Sequence, residues 1–402
     1  GVDSHGVIRL PRYLEMINFD LLNPKPNFQI LRETPASIVI DADRLLATFL
    51  DILRVDSYYP NEDPVFDILK PKLQRAGLQI TADQHRNQLC YWPGTGPLAD
   101  NQPIMLCAHM DTVWPTPEMD PVVRDGTVHS DGSSVLGADD KAAVAAIVEA
   151  VEAIHDAGLD HPPAELLFTV GEDIGHIGSK AFDIEPVRSR MAFIPDADGP
   201  VGGVMLAAPW TTSIQASFRG RAAHAGMEPE SGRSALSMAA MAIQAMQLGR
   251  IDNETTSNVG TLNGGEAMNI VPAEAEMVWQ VRSLSEEKYK QVRDEMMTAC
   301  REAAEAFDGT LETERVGGTN GFRFEEAHPI IQRARSAIAA SGLEPWTDVT
   351  CGGSDANELN DKGLDAVVLS VGYVDIHTHQ ESMPIDQLNK LSEVCCQLIL
   401  GS

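Results

Sequence analysis

The sequence is poor in positive charge, and it contains no long apolar run. Its 30 lysines and arginines stand against 59 aspartates and glutamates, which gives a formal net charge of -29 at pH 7. Such an excess of negative charge argues against nucleic acid or an anionic membrane surface as a partner. The sequence has no stretch of about 18 apolar residues and no signal-peptide pattern, so it predicts neither a membrane span nor secretion.

Cysteine is also scarce, with six residues that show no CxxC spacing. This number and arrangement exclude a disulfide-rich scaffold and favour a reducing, cytoplasmic setting. Internal repeats and low-complexity tracts are absent as well. A chain of 402 residues with 43% hydrophobic residues is long and apolar enough to bury a large core in two or three domains.

Short apolar runs alternate with amphipathic helical patterns along most of the chain. Buried-strand runs are predicted at residues 104–108, 164–170, 191–194 and 366–370. Between the first two, Val144, Ile147, Val148 and Val151 form an apolar stripe typical of a helix. This alternation predicts an α/β fold with a mostly parallel sheet flanked by helices, and ligands gather beyond the carboxyl ends of the strands in such sheets.

A segment of different texture interrupts this pattern. Residues 211–218 and 274–282 alternate polar and apolar side chains, as half-exposed antiparallel strands do, and helical patterns follow each of them. We therefore predict an inserted α+β lid or dimerisation domain. The expected boundaries are 1–42 for an N-terminal segment, 43–209 and 321–402 for a catalytic metal-binding domain, and 210–320 for the insertion.

Polar residues follow each predicted strand, and their types are those that bind zinc. The candidate ligands lie in five separate segments: His109, Asp139, Asp173, Asp196 and His377. Two imidazoles and three carboxylates, one of them shared, would complete a site for two zinc ions. We expect Asp139 to be the shared ligand because it stands first after a Gly/Asp/Ser-rich loop.

Two further carboxylates complete the predicted catalytic machinery. Glu172 adjoins a candidate ligand and is expected to act as a general base, taking a proton from water held between the cations and handing it to a leaving amine. Asp111 follows His109 at a spacing that lets it orient the imidazole.

These motifs resemble one known family. The residues 109–111, 137–141, 171–173, 352–355 and 376–378, together with Asp196, are similar to the dizinc metallopeptidases that include peptidase T, aminoacylase and succinyl-diaminopimelate desuccinylase. The resemblance covers about residues 43–402 and comes nearest to peptidase T. It implies that His224 stabilises the oxyanion and that Asn269, Arg282 and Gly353 bind the substrate.

The resemblance favours an aminopeptidase that acts on short peptides. An aminoacylase or carboxypeptidase on the same scaffold is the enzymatic alternative, and an inactive zinc-binding homologue is the non-enzymatic one. The family usually has two glutamates where this chain has Glu172 and Asp173, so manganese or cobalt could replace zinc. Asp198 competes with Asp196 as a ligand. The family also suggests a homodimer formed through the insertion.

Other candidate residues carry weaker signals. Residues 1–42 resemble the N-terminus of the malate/L-lactate dehydrogenase family, in which Ser4, His5 and Arg9 would lie near a nicotinamide cofactor. Nothing downstream continues that match, so we expect an inert remnant. Six histidines are expected to be structural or on the surface: His85, His129, His155, His161, His176 and His328.

Overall fold

The computed structural model describes residues 40–401. Ser4, His5 and Arg9, and with them nearly all of the predicted dehydrogenase-like segment, lie outside the described residues. The described helices are α1 (Ala42–Leu53), α2 (Asp63–Arg75), α3 (Ala138–Ala157), α4 (Ile177–Ala181), α5 (Ala235–Ala245), α6 (Glu286–Ala306), α7 (Pro329–Ala340), α8 (Asp355–Asp361) and α9 (Ile385–Leu400). None of them is both long and apolar enough to span a lipid bilayer.

The described strands are β1 (Gln79–Ala82), β2 (Gln88–Trp92), β3 (Ile104–His109), β4 (Val122–Arg124), β5 (Thr127–His129), β6 (Ala164–Thr169), β7 (Met191–Ala197), β8 (Gly203–Met205), β9 (Ala207–Ala208), β10 (Trp210–Arg219), β11 (Gly249–Arg250), β12 (Thr255–Gly264), β13 (Glu274–Ser283), β14 (Thr310–Gly317), β15 (Phe322–Arg323), β16 (Trp346–Asp348), β17 (Asp365–Ser370) and β18 (Ser382–Pro384).

The chain forms two compact units. Within the described residues 40–401, the first contains those up to Leu206, then Glu325–Asp348 and those from Ser354 onward. The second contains Ala207–Phe324 and the short segment Val349–Gly353. The sequence pattern did not indicate that this last segment belongs with the second unit.

An eight-stranded sheet, in the order β1-β2-β6-β3-β7-β17-β8-β16, forms the centre of the first unit. The pairs β6–β3, β3–β7, β7–β17 and β8–β16 are parallel, whereas β1–β2, β2–β6 and β8–β17 are antiparallel. Every residue of β3 and β6 is buried, as expected for strands covered on both faces. The predicted α/β class with a mostly parallel sheet is confirmed.

Helix α3 packs close to the centre of this sheet because its residues are small. Alanine and valine dominate it, and it is buried over nearly its whole length, in contact with β3, β7, α1 and α9. Close packing of this kind fixes the amino end of α3, where two acidic residues, Asp139 and Asp140, lie. The helix ends before Gly158, as its sequence predicts.

The second unit has its own sheet and its own core. Its five strands follow the order β11-β12-β13-β10-β14, and all their pairings are antiparallel. Buried side chains alternate along β13, and they pack with α5 and α6 around the fully buried Trp279. The alternation of polar and apolar residues predicted for β10 and β13 therefore arises because one face of their sheet packs against a helical layer.

Candidate functional site

The predicted metal ligands of the first unit lie at one edge of its sheet. Strands β6, β3, β7 and β17 are neighbours, so the carboxyl ends of these parallel strands meet there. His109 is the last residue of β3, and Asp196 lies near the end of β7. Glu172 and Asp173 occupy the turn after β6. His377 lies in the loop between β17 and β18, with a positive φ of 63°.

Asp139 lies between two histidines from distant parts of the chain. Its Oδ1 atom is 3.2 Å from Nε2 of His109, and its Oδ2 atom is 3.1 Å from Nε2 of His377. The residue is buried at the amino end of α3. One carboxylate therefore offers one oxygen to each imidazole, which is the arrangement needed for a ligand shared by two cations.

Each of the remaining predicted carboxylate ligands approaches one of these histidines. Asp196 Oδ1 is 3.9 Å from Nε2 of His109, and Asp173 Oδ1 is 3.2 Å from Nε2 of His377. The Oδ2 atom of Asp173 is buried and has no hydrogen-bond partner within residues 40–401. Asp198, the alternative to Asp196, is exposed.

The electrostatics of this cluster are those of carboxylates packed together without enough positive charge. Burial and then the neighbouring Asp139 raise the pKa of Asp196 well above its ordinary value, and burial and then Asp196 do the same for Glu172. Asp139 and Asp173 raise the pKa of His377 to about 10. Burial of several carboxylates side by side disfavours their charged forms unless positive charge lies nearby.

The donor set fits divalent metal ions. In the described part of the chain, three groups of residues bring their ligand atoms within 4.8 Å of one another: His109 with Asp140 and Asp196, His109 with Asp111 and Asp173, and Asp139 with Asp173 and His377. Imidazole nitrogen and carboxylate oxygen are the ligands that zinc accepts in catalytic sites. The unpartnered Oδ2 of Asp173 also suits a cation, because a buried carboxylate oxygen without a donor is otherwise unfavourable.

Asp140 is a member of this cluster that the sequence analysis missed. Its side chain is completely buried, and burial followed by the charge of Asp196 raises its pKa well above the ordinary range. Its position next to Asp139 was the available signal.

Two buried carboxylates hold the turn that carries Glu172 and Asp173. Asp111 accepts hydrogen bonds from both of their backbone N–H groups, at 3.0 and 3.1 Å, and its Oδ1 atom also lies 3.3 Å from Nδ1 of His109. Glu62 accepts from the N–H of Gly171 at 3.1 Å. Asp111 thus contacts the imidazole that it was predicted to orient, whereas the contact of Glu62 had no local sequence signal.

Gly171 is required at the start of this turn. Its φ is +60°, and a Cβ atom on it would lie 2.8 Å from the ring of Tyr59. A larger residue would have to adopt a strained backbone and displace the ring. The turn that presents Glu172 therefore depends on glycine for both its conformation and its space.

Another carboxylate supports the loop before α3. Glu381 is buried, and its two oxygens accept hydrogen bonds from the N–H groups of Gly137 at 2.8 Å and Asp139 at 3.0 Å. The fully buried Lys141 donates to the carbonyl of Val55 at 2.8 Å. No sequence pattern indicated a role for Glu381, although it lies only four residues after His377.

The predicted residues of the second unit are exposed, and the structure places them in two neighbourhoods. His224 accepts at Nδ1 from the N–H groups of Gly226 and Met227. Asn269 lies beside it, and the carbonyl of Asn269 accepts from the N–H of Ala225 at 2.9 Å. Arg282 donates to the carbonyl of Cys351 at 3.3 Å, close in sequence to Gly353.

Comparison with known proteins points to one family. The model of peptidase family M20/M25/M40 matches residues 105–401. The structure of aminopeptidase PepT from Bacillus cereus ATCC 10987 is similar with a TM-score of 0.85 and 35% identity, covering 90% of this chain and 99% of that one. A tripeptidase from Staphylococcus aureus is similar with a TM-score of 0.83 and 34% identity, covering 90% and 98%.

A curated relative extends the match in sequence. The uncharacterised protein YqjE of Bacillus subtilis (strain 168) is 37% identical over 369 residues, which is 90% of this chain and 99% of that protein. The family match, the fold and the clustered candidate ligands agree with one another. These matches give no support to the resemblance between residues 1–42 and dehydrogenases. The chain belongs to peptidase family M20/M25/M40 and is a metallopeptidase.

Proposed function

We propose that this protein is an aminopeptidase that removes the N-terminal residue from short peptides, with tripeptides as the favoured substrates. The single observation that supports this choice is its likeness, over 90% of the chain, to an aminopeptidase PepT and to a tripeptidase at 35% and 34% identity. An aminoacylase or carboxypeptidase activity on the same scaffold has no comparable support.

We propose two divalent cations, with zinc as the preferred metal. His109 and Asp196 would hold one, Asp173 and His377 the other, and Asp139 would contribute to both. The cations supply a Lewis acid that makes water nucleophilic at neutral pH. The Asp139 carboxylate, with one oxygen near each imidazole, is the feature that supports two ions over one.

Glu172 is the proposed general base. Its carboxylate takes a proton from the attacking water and delivers it to the nitrogen of the leaving peptide, which departs as an amine. Asp111 holds the backbone of this residue and the imidazole of His109 at the same time, so it fixes base and ligand relative to each other. Burial of Glu172 excludes water that would otherwise compete for the proton.

The proposed role of His224 is to donate a hydrogen bond to the developing oxyanion. Because its Nδ1 accepts two backbone N–H groups, a neutral ring carries its proton at Nε2. A donor at that nitrogen suits an oxyanion. Asn269, Arg282 and Gly353 are proposed to bind the substrate, with the guanidinium of Arg282 suited to a peptide carboxylate.

A peptide panel tests the substrate class. Metal-loaded protein is incubated with a tripeptide, its N-acetyl form and its C-terminal amide, and the products are identified by mass spectrometry. We expect release of the N-terminal residue only when the amine is free. Removal of the acetyl group would support an acylase, release of the C-terminal residue a carboxypeptidase, and no cleavage of any peptide would contradict the proposal.

Two substitutions separate the base from the ligands. Glu172→Ala should retain both metals and lose about 100- to 10,000-fold in kcat, because it removes the proton acceptor. His109→Ala should lose metal as well as activity. Metal content by atomic emission and kcat on the tripeptide are measured for both, with the exposed Glu185→Ala as the control. Equal metal loss in the two variants would assign Glu172 to the ligands.

A homodimer formed through the second unit and a cytoplasmic location also stay predictions. Light scattering coupled to gel filtration measures the first directly. Cell fractionation with an antibody against the chain measures the second.

A further inference from the structure

His176 lies against the side chain of Glu172. Its Nε2 atom is 3.3 Å from Oε1 of Glu172, and both residues are less than a tenth exposed. The sequence pattern indicated only a structural or surface histidine here. A buried imidazole therefore contacts the proposed general base directly.

The backbone between the two residues brings them together. The carbonyl of Glu172 accepts hydrogen bonds from the N–H groups of Gly175 at 2.9 Å and His176 at 2.7 Å, which closes a tight turn. His176 has a φ of 58°, in the left-handed region that non-glycine residues seldom adopt, and α4 begins immediately after it. The turn thus folds the imidazole back toward Glu172.

Glu358 determines which nitrogen of the His176 ring carries the proton. The Nδ1 atom of His176 lies 3.2 Å from Oε1 of Glu358 in hydrogen-bond geometry. An ionised carboxylate can only accept, so Nδ1 carries the proton and donates it. Nε2 is then left for Glu172. It donates to the ionised carboxylate if the ring carries a second proton, and it accepts from the carboxyl group after Glu172 has taken a proton.

Helix α8 supports this arrangement from outside the turn. Ser354 caps the helix, and Asp355 at its start accepts a hydrogen bond from Thr169 Oγ1 at 2.5 Å, at the end of β6. Glu358 follows three residues later, on the same face of the helix. A single short helix therefore contacts both ends of the segment 169–176, which carries Glu172.

We propose that His176, oriented by Glu358, is a positioning residue for Glu172. It fixes the carboxylate rotamer in the orientation from which the proton is taken and returned. A glutamate side chain has several rotamers of similar energy, and contact with a buried, anchored ring favours one of them. This inference rests on the proposed function, because it assumes that Glu172 is the base.

The kinetic test compares four variants on the tripeptide. His176→Leu should lower kcat about 10- to 100-fold while KM and metal content stay close to wild type. His176→Gln offers Glu172 an amide that both donates and accepts hydrogen bonds, and it should recover part of the loss. Glu358→Gln should lower kcat in the same direction, because its amide no longer fixes the ring proton. His155→Leu, at an exposed histidine of α3, is the matched control.

The results separate positioning from general stability. A kcat of His176→Leu equal to wild type, in folded and metal-loaded protein, would overturn the proposal. Thermal melting of every variant is measured in parallel. If the leucine variant does not fold, the glutamine variants are used for the test instead. An unchanged kcat in Glu358→Gln then overturns the proposal.

A spectroscopic measurement tests the contact without any activity. In protein labelled with ¹⁵N-histidine, correlation spectra should show His176 protonated at Nδ1 in the wild type. The Nε2 resonance should shift in Glu172→Gln, and the Nδ1 preference should weaken in Glu358→Gln. A ring protonated at Nε2 alone, with no response to Glu172→Gln, contradicts the inference, even if the wild type cleaves no peptide and the proposed function fails.

Discussion

At the scale of single residues, positions that are close together in the sequence of this site lie in very different environments. Asp196 lies near the end of β7 and approaches His109, whereas Asp198, two residues later, is exposed. Both are aspartates after a buried strand, so the sequence alone left the choice between them open. Distance and burial favour Asp196, and this difference can be measured.

We predict that Asp196→Asn weakens metal binding strongly and that Asp198→Asn does not. The loss for Asp196→Asn should exceed the roughly 10- to 100-fold typical of residues that only support a ligand, because an amide is a poorer ligand than a carboxylate. Competition with a chromophoric chelator measures the affinities of both variants. A larger loss for Asp198→Asn would exchange their roles.

The raised pKa of His377 predicts that metal binding is coupled to proton release. With a pKa of about 10, the metal-free imidazole carries its proton at pH 7. A metal ligand must offer a free nitrogen, so binding releases this proton, and the affinity falls as the pH is lowered. Titration calorimetry in two buffers of different ionisation enthalpy should give different heats. Equal heats in the two buffers would contradict coupled proton release. Metal binding to the His377→Asn variant should release fewer protons than binding to the wild type.

At the scale of secondary-structure elements, a buried ion pair joins α1 to α3. Arg44 binds both oxygens of Glu149 at 2.7 Å, and Glu149 also accepts from the N–H of Asp41. The carboxylate side chain is only 1% exposed, and burial raises its pKa to about 7 despite the guanidinium. The pair holds α1 on the helix that presents Asp139.

We predict that Arg44→Leu destabilises the protein by about 3–5 kcal/mol, because it leaves a buried carboxylate without its partner. Arg54→Leu is the matched control at the other end of α1, since Arg54 and its partner Asp120 are largely exposed. Such a surface pair contributes at most about 1 kcal/mol. Urea unfolding followed by circular dichroism compares them, and losses of equal size would show that burial of the pair has no effect.

The elements that sequence predicted well are those with a local signal. Strands β3, β6, β7 and β17 are short, mostly apolar runs, and α3 has a regular apolar stripe, so each is specified by its own residues. Strand β12 has no such signal, because threonine, asparagine and glycine dominate it. It is a strand because β13 pairs along its length, which depends on distant residues.

The same distinction explains which site residues were predicted. His109 and Asp196 each follow an apolar run, so chain position alone indicated them. Glu62 contacts Gly171 across more than a hundred residues, and no pattern near it reports this. His176 lies four residues from Glu172, but its importance comes from Glu358, which the fold brings from another helix.

At the scale of the whole molecule, metal binding links distant parts of the chain within one unit. The proposed ligands extend from His109 to His377, and all of them belong to the first unit. The second unit is held by a separate core that includes Trp279 and Met277. Cations should therefore stabilise the first unit without a comparable direct effect on the second.

We predict that calorimetry of the metal-loaded protein shows two transitions and that chelator lowers only one of them. Metal at a hundredfold excess over its Kd stabilises the unit that binds it by about 2.7 kcal/mol. This moves the midpoint of a domain of 150–250 residues by roughly 5–10 °C. Met277→Ala identifies the other transition, since loss of a buried methionine in the second core costs about 2–5 kcal/mol. Independent units respond only to a change made within them. A single transition would therefore show that the two cores unfold together, and so would a peak that shifts both with chelator and with Met277→Ala.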